Sequence, residues 1–333
     1  MRLPYRFLLP CALLASAACG SASEPSADTP LEAFDVVWKA FDRTYPYFVL
    51  KGADWAAARA TYRPRATVAA DVAELNRILT EMLAPLRDLH VWIESPGGTR
   101  VATYQPTAPR NWDPTLWQRA LSGNGWVQVK PNLGRARIDG IPYILIGSWN
   151  SSQFSVEDLD ATLEAFRADS ALIVDVRPNG GGNDALALAL AGRFTTRSIL
   201  TEIIRTRSGP AHGDLGNETR RTLQPRGPWT FDGRVYVLSG RGVFSSNESF
   251  IAAMRELPRG VIVGDTTGGA TANPKPTEYF QGWKIWVPTW YATTPDGMPI
   301  EWRGIPPDVF VPWSAAGERD PVIDAAVALA KGR

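Results

Sequence analysis

The sequence predicts an α/β layered domain preceded by a smaller all-helical segment. Apolar residues recur at helical spacing from Leu31 to about Leu86, as in amphipathic helices. From residue 135 onward, short apolar runs alternate with amphipathic segments, which is the pattern of layered α/β folds. The run Ala171–Val176 is continuously apolar, as expected of a strand with parallel neighbours that is buried on both faces of a sheet. With 333 residues, 44% of them apolar, the chain can bury such a core.

The first 18 residues are typical of an export signal. Arg2 and Arg6 accompany an apolar run that ends in small residues before Cys19. Small residues directly before a cysteine resemble the lipobox of bacterial lipoproteins. We therefore expect an exported, cell-envelope protein that is held at a membrane by lipidated Cys19, with simple secretion or an uncleaved anchor as alternatives. Residues 19–30 have the composition of a flexible tether.

Charge and cysteine content exclude several classes of partner. The 35 basic and 34 acidic residues nearly balance, and two basic residues leave with the signal, so we expect no nucleic-acid partner. Cys11 also leaves with the signal, which removes any intrachain disulfide. With two histidines and one mature cysteine, the sequence predicts neither a metal site nor a cofactor.

The remaining elements follow in order. We expect helices over 31–88 and a core over 89–333, which begins with a strand that includes His90. Residues 95–132 are rich in Gly, Pro and Thr and predict loops with short strands. Ser155 and Asp158 resemble a capping box that opens a helix. Further predicted strands or helices lie at 135–149, 184–194, 199–205, 235–238, 261–263, 283–291 and 321–331.

Ser245 is the candidate nucleophile. It follows the apolar run Val235–Leu238 and a glycine-punctuated turn, and it precedes a helix, so outward-facing N–H groups would surround it. A serine needs a base to take its proton and a third group to orient that base. His90 and His212 are the two histidines, and the surface-loop composition around His212 favours His90 as the base.

Asp175–Gly182 ends the buried strand with three consecutive glycines. Such a turn lets the backbone approach a ligand and direct N–H groups at developing negative charge. Gly180, Gly182 and Ala185, with Glu202 further on, also match a loose dinucleotide fingerprint. The intervening Arg-Pro-Asn and the export signal disfavour that alternative, and no Gly-Lys-Ser/Thr of a phosphate-binding loop follows.

Four motifs occur here in the order seen in the carboxyl-terminal-processing and tricorn-core serine peptidases. They are Arg87-Asp-Leu-His90, Asp175-x-Arg177-x-Asn179-x-Gly181-Gly182, Ser245-x-x-Glu248 with Gly264-Asp-Thr-Thr267-x-Gly, and Glu301-x-x-Gly-Ile-x-Pro-Asp308. The N-terminal helices resemble those of the tricorn and interphotoreceptor-retinoid-binding-protein-like branch. The resemblance implies a ClpP/crotonase-like α/β core.

The resemblance also implies the role of each residue. Ser245 would be the nucleophile, His90 the base and Glu301 the group that orients the base. The oxyanion would bind the Ser246 amide and that of Gly181 or Gly182. The motif residues expected to support these groups are Asp175, Arg177, Asn179, Glu248 and Thr267.

Three departures from the family pattern refine this prediction. Ala270 stands where the processing branch has its lysine base, and Lys275 could only be a displaced replacement. Leu89 replaces the serine that helps to link histidine to glutamate in tricorn, so Glu301 must contact His90 directly or through another group. Residues 92–134 are too few for a peptide-binding PDZ module.

The sequence thus predicts an exported serine endopeptidase that hydrolyses peptide or unfolded protein substrates without a cofactor, and it leaves the oligomeric state open. The alternative is a catalytically inactive member that binds a hydrophobic ligand or a peptide. Crotonase-like acyl chemistry is a third possibility, disfavoured because export separates the chain from acyl-CoA.

Overall fold

The computed structural model describes residues 27–332. The predicted signal, Cys19 and most of the predicted tether lie outside the described residues. Thr29 caps the first helix: its hydroxyl accepts the Glu32 N–H, and the Glu32 carboxylate accepts the Thr29 N–H. This reciprocal capping box fixes the start of the helix at Pro30.

The described chain begins with four α-helices and continues with strands that are interrupted by single α-helices. The α-helices are α1 (Pro30–Thr44), α2 (Phe48–Lys51), α3 (Trp55–Thr67), α4 (Val72–Leu83), α5 (Pro114–Leu121), α6 (Val156–Glu164), α7 (Asp184–Ala191), α8 (Ser246–Arg255) and α9 (Pro321–Ala330). The strands are β1 (Trp92–Glu94), β2 (Arg100–Ala102), β3 (Val127–Lys130), β4 (Leu133–Ile138), β5 (Ile141–Ile146), β6 (Ala171–Asp175), β7 (Ile199–Arg205), β8 (Thr219–Leu223), β9 (Arg234–Ser239), β10 (Gly260–Gly264), β11 (Lys275–Phe280), β12 (Trp283–Val287), β13 (Tyr291–Thr293) and β14 (Val309–Phe310).

A seven-stranded sheet in the order β14-β10-β9-β6-β5-β4-β3 forms the centre of the fold. All five residues of β6 are buried, and β6 pairs in parallel with both β5 and β9. Helices α6, α7 and α8 contribute to the core on one face, and α5 and α9 contribute to the core on the other. The buried central strand and the α/β fold class that it indicated are confirmed.

A four-stranded antiparallel sheet, β11-β12-β1-β2, packs with the N-terminal helices in a second core. The predicted strand at His90 begins later than expected, since His90 lies in a turn and β1 starts at Trp92. Arg87 has a φ of 48°, so the backbone turns sharply just before the histidine. His90 therefore sits at the entry of one sheet, whereas Ser245 follows β9 of the other.

One expectation for the connecting segments was wrong. Residues 95–132 contain α5, whose first turn is capped by Asp113, besides short strands. The strand predicted at residues 199–205 is confirmed as β7, and it lies in a separate three-stranded antiparallel sheet, β13-β7-β8. Within residues 27–332, none of the helices has both the length and the apolar character that crossing a membrane requires.

Candidate active site

Ser245 occupies the position just before α8, with φ 61° and ψ −137°. For a residue with a side chain, this backbone conformation costs on the order of 1–3 kcal/mol and persists only where neighbours fix it. Its N–H donates to the Ala270 carbonyl at 2.7 Å, and its carbonyl accepts the Glu248 N–H at 2.8 Å. Both backbone groups are thus engaged, and the half-buried residue lines a cleft.

The glycine turn after β6 lies directly against Ser245. A Cβ atom added to Gly181 would be 2.7 Å from the Ser245 Cβ and 3.2 Å from its Oγ. A Cβ on Gly182 would be 2.5 Å from the Trp149 carbonyl oxygen, and the φ of Gly182 is +136°. Neither position has room for a side chain, which explains why the sequence has glycine at both.

The hydrogen bonds of this turn distinguish the two candidate oxyanion donors. The Gly181 N–H already donates to Asn179 Oδ1 at 2.8 Å. Within residues 27–332, the N–H groups of Gly182 and Ser246 have no acceptor, and the Ser246 hydroxyl donates to the Gly182 carbonyl at 2.6 Å. Of the alternatives that the sequence left open, this pattern favours Gly182 over Gly181.

His90 lines the same cleft and is 4% exposed. Its ring lies edge-to-face with Phe244, with the centroids 6.1 Å apart. Neither ring nitrogen has a hydrogen-bond partner within residues 27–332, so His90 makes no hydrogen bond to Ser245. Burial lowers the pKa of His90 and outweighs the Asp88 charge, which raises it, while Lys51 lowers it further. The imidazole is therefore neutral at a pH where an exposed histidine is partly charged.

Glu301 is fully buried and forms no hydrogen bond with His90. Its Oε1 accepts from Lys51 Nζ at 2.6 Å, and its Oε2 has no partner within residues 27–332. Burial raises the pKa of Glu301 well above its ordinary value, and the nearby charge of Asp88 adds to the effect. The role of Glu301 as the orienting group stays a prediction.

Lys51 and Asp88 are site residues to which the sequence analysis gave no role. Lys51 Nζ donates to Asp88 Oδ2 at 3.2 Å as well as to Glu301, and its side chain is 3% exposed. Asp88 also accepts the His90 backbone N–H at 2.8 Å and the Tyr45 hydroxyl at 2.8 Å. The sequence feature that could have identified Lys51 is its position as the single charged residue in the otherwise apolar and aromatic stretch from Tyr45 to Gly52.

The motif after β6 forms a buried scaffold under the glycine turn. Arg177 binds both oxygens of Asp175, at 2.9 and 2.6 Å, and reaches Asp320 at 3.0 Å. None of these three side chains has any exposed surface. Asn179 fixes the Gly181 amide, and Asn247 of α8 donates to the Asn179 carbonyl at 2.8 Å. The turn is thereby tied both to the sheet and to the helix that follows Ser245.

Glu248 ties α8 to the loop after β10. It accepts the N–H groups of Gly269 and Ala270 at 2.9 and 2.8 Å, and the hydroxyl of Thr267. Burial raises the pKa of Glu248 to about 7, although these hydrogen bonds oppose the shift. The backbone of Ala270 is fully used, since its N–H binds Glu248 and its carbonyl binds Ser245.

The residues of the weaker alternatives lie away from the reaction centre or are otherwise engaged. Lys275 is exposed on β11 and does not line the cleft. His212 contacts Asp42 at 2.9 Å. Glu202 is buried and pairs with Arg221 at 3.1 Å. Within residues 27–332, no group of three or more His, Cys, Asp or Glu side chains is placed to hold a metal ion.

The cleft has a volume of about 580 Å³. Its walls are partly aromatic and cationic: Arg100 lies 4.5 Å from the Trp92 ring centroid, and Arg221 lies 5.6 Å from that of Trp290. The residues around its opening and floor are Leu89, His90, Trp92, Arg100, Ala102, Gly180, Gly182, Asp184, Arg221, Phe244, Ser245, Ser246, Ser249, Thr271, Ala272, Asn273, Pro274 and Trp290. The arrangement combines a serine, a neutral histidine and two free amides around one cleft.

Two family descriptions match this chain. That of peptidase family S41 matches residues 140–311, and that of the Tricorn protease C1 domain matches residues 26–84. The tail-specific protease of Haemophilus influenzae is 34% identical over 114 residues, which is 34% of this chain and 15% of that protein. The chloroplastic C-terminal processing peptidase of Tetradesmus obliquus is 24% identical over 167 residues, 50% of this chain and 34% of that one. The matched parts span only 15% and 34% of the length of these two relatives.

Solved structures with the same fold cover most of the chain. A candidate peptidase from Parabacteroides merdae is similar with a TM-score of 0.82 and 28% identity, covering 91% of this chain and 97% of that one. Mature CPAF gives a TM-score of 0.69 at 12% identity, covering 91% and 96%. The tricorn protease gives 0.59 at 16% identity, covering 92% and 37%. At such identities the last two show the fold alone.

Proposed function

Because this chain belongs to peptidase family S41, we propose that it is a serine endopeptidase in which Ser245 is the nucleophile and His90 the general base. The observation that carries the proposal is that one cleft holds both residues, the serine in a strained turn and the histidine neutral with both ring nitrogens free. A neutral imidazole can accept the serine proton, and a strained strand-to-helix turn presents the hydroxyl to a substrate.

The proposed reaction has two half-reactions, the formation of an acyl-enzyme and its hydrolysis. Ser245 Oγ bonds to the peptide carbonyl carbon while His90 takes its proton, and the oxyanion accepts hydrogen bonds from the amides of Gly182 and Ser246. His90 then returns the proton to the leaving amine, and the C–N bond breaks to give an acyl-enzyme. Water, deprotonated by His90, hydrolyses the ester and frees Ser245.

Glu301 is the third member of the proposed triad. Oε2 of Glu301 is a buried acceptor without a donor, and the N–H of the His90 imidazole is a buried donor without an acceptor. We expect Glu301 to accept the imidazole N–H during the reaction and to select the useful tautomer. Lys51 binds Oε1 of Glu301 and leaves Oε2 of the same carboxylate available for this contact.

We propose peptides or unfolded proteins as substrates, selected in the cleft itself rather than by a PDZ module. The names of the two curated relatives, a tail-specific protease and a processing peptidase, accord with this substrate class. Export and a lipid anchor at Cys19, in a cell-envelope location, belong to the same proposal. Palmitate labelling that survives Cys19→Ser would count against the anchor.

A fluorophosphonate probe and unstructured peptides test the activity. The purified full chain is compared with Ser245→Ala and His90→Ala, and with His212→Ala as the matched histidine control. We expect labelling and cleavage for the wild type and His212→Ala, and loss of both in the other two variants. If Lys275→Ala loses activity while His90→Ala keeps it, the base has been assigned to the wrong residue.

A binding module for a hydrophobic ligand or a peptide is the second candidate, favoured by the absence of a hydrogen bond between His90 and Ser245 in the structure. It predicts that the wild type neither reacts with the probe nor cleaves any peptide that the alanine variants leave intact. Binding of unstructured peptides that is unaffected by Ser245→Ala, without turnover by the wild type, would establish it.

A further inference from the structure

A buried charge cluster, made of Lys51, Asp88 and Glu301, lies beside the proposed base. Lys51 Nζ is 3.2 Å from Asp88 Oδ2 and 2.6 Å from Glu301 Oε1. The lysine side chain is 3% exposed, and neither carboxylate has any exposed surface. Asp88 also accepts the backbone N–H of His90, two residues along the chain. One cation therefore connects two buried carboxylates beside His90.

The charges in this cluster depend on one another. Burial alone would lower the pKa of Lys51, but the charges of Asp88 and Glu301 outweigh burial and raise it. Burial would likewise raise the pKa of Asp88, yet the Lys51 charge contributes to a net lowering. Without the lysine, Asp88 and Glu301 would share a buried site with no compensating cation, which disfavours their present arrangement.

We propose that Lys51 is a positioning residue for catalysis, which holds Asp88 and Glu301 behind His90 and makes the site depend on the docking of α2. The inference rests on the proposed function, because it assigns His90 the role of base. Lys51 is the last residue of α2, and together with the hydroxyl of Tyr45, which donates to Asp88, it joins the N-terminal helical region to the site. Its partners lie 37 and 250 positions away in the chain.

Several titratable side chains from different parts of the chain surround Lys51. Tyr45 and Tyr47 present their rings at 5.7 and 5.6 Å from Nζ, and burial raises the pKa of both phenols well above the ordinary value. Both therefore stay neutral. Asp88, Glu301 and the imidazole of His90 complete the set, and Glu248 acts on Glu301 through its charge. Lys51 is the one cation among these groups, so its removal changes the field at His90.

The test replaces Lys51 with methionine and uses Lys39→Met, an exposed lysine of α1, as the matched control. The chain has two histidines, so the proton NMR titration of each imidazole can be followed, with His212→Gln giving the assignment. In Lys51→Met we expect the His90 midpoint to rise by about one pH unit, because a cation that disfavours the imidazolium is gone. We also expect kcat to fall at least about tenfold while KM changes less than about threefold.

A folded Lys51→Met protein with an unchanged or lower His90 midpoint and wild-type kcat would overturn the inference. If Lys51→Met does not fold, Lys51→Arg keeps the positive charge but not the compact ammonium between the two carboxylates; kcat should then fall while the His90 midpoint stays near that of the wild type, and a wild-type kcat would overturn the inference. The titration needs no turnover, so it separates the two proposals. A wild type that fails to react with the fluorophosphonate refutes the proposed function, whereas a shifted His90 midpoint in Lys51→Met still supports the coupling.

Discussion

Arg177 offers a direct test of how the fold supports the glycine turn. Replacing it with methionine keeps the approximate length of the side chain and removes the guanidinium. That group binds Asp175 through two nitrogens, reaches Asp320 at 3.0 Å and donates to the Asn111 carbonyl at 3.0 Å. The variant therefore leaves two carboxylates in an environment with no solvent exposure.

The expected magnitude follows from what remains in Arg177→Met. Asp175 keeps the Tyr143 hydroxyl at 2.8 Å, and Asp320 keeps two backbone N–H groups at the start of α9, so neither loses every partner. Removing one member of a buried ion pair costs about 3–5 kcal/mol, because the remaining charge is left uncompensated. We expect the free energy of unfolding to fall by about that amount.

Arg137→Met is the matched control, because Arg137 also binds both oxygens of an aspartate, Asp169, at 2.9 and 2.8 Å. This pair is solvated, with side-chain exposures of 46% and 25%, so we expect a loss of about 0.2–1 kcal/mol. Urea denaturation followed by circular dichroism measures both. Equal losses in the two variants would refute the reasoning. Arg177→Lys keeps the charge but not the planar fork, so its loss in the free energy of unfolding should lie between those of Arg177→Met and Arg137→Met.

Two further predictions concern catalysis. Gly182→Ala should lower kcat by about 100-fold, because a Cβ 2.5 Å from the Trp149 carbonyl oxygen must displace an oxyanion amide. Gly213→Ala is the control and should leave kcat unchanged, because the atom nearest to its added Cβ is 3.7 Å away. Steady-state kinetics measure both, and a wild-type kcat in Gly182→Ala would contradict the prediction. In the pH profile of kcat/KM, the acidic limb should lie below the ordinary histidine pKa of 6.5, since burial lowers the pKa of His90 and the base must be neutral. Asp88→Asn, which removes a charge that raises this pKa, should move the limb further down, and a limb at or above 6.5 would contradict the assignment.

Local patterns predicted the elements whose signal lies within a few neighbouring residues. The continuous apolar run Ala171–Val176 became the buried strand β6, and Ser155 with Asp158 forms a reciprocal capping box in the structure. Helix α5 was missed because its eight residues lie in a segment rich in Gly, Pro and Thr, where Asp113 and Pro114 are as compatible with a turn as with a helix start.

Interactions between distant parts of the chain could not be predicted in this way. The strand β7 was recognisable from its apolar residues, but its place in a separate antiparallel sheet depends on β8 and β13, far along the chain. Lys51 was missed for the same reason, because one partner, Glu301, lies 250 positions away. A lysine in an apolar and aromatic stretch indicates that a buried carboxylate partner exists, but periodicity cannot say which one.

The strained backbone of Ser245 bears on how the alanine variant should be interpreted. A φ of 61° in a residue with a side chain persists only because its surroundings enforce it. Here the constraint comes from the backbone, since the Ser245 N–H binds the Ala270 carbonyl and the Glu248 N–H binds the Ser245 carbonyl. Glu248 in turn holds the N–H groups of Gly269 and Ala270 through its side chain. None of these contacts uses the serine hydroxyl, so Ser245→Ala should keep the turn, and its failure to react with a fluorophosphonate would report lost chemistry rather than a lost fold.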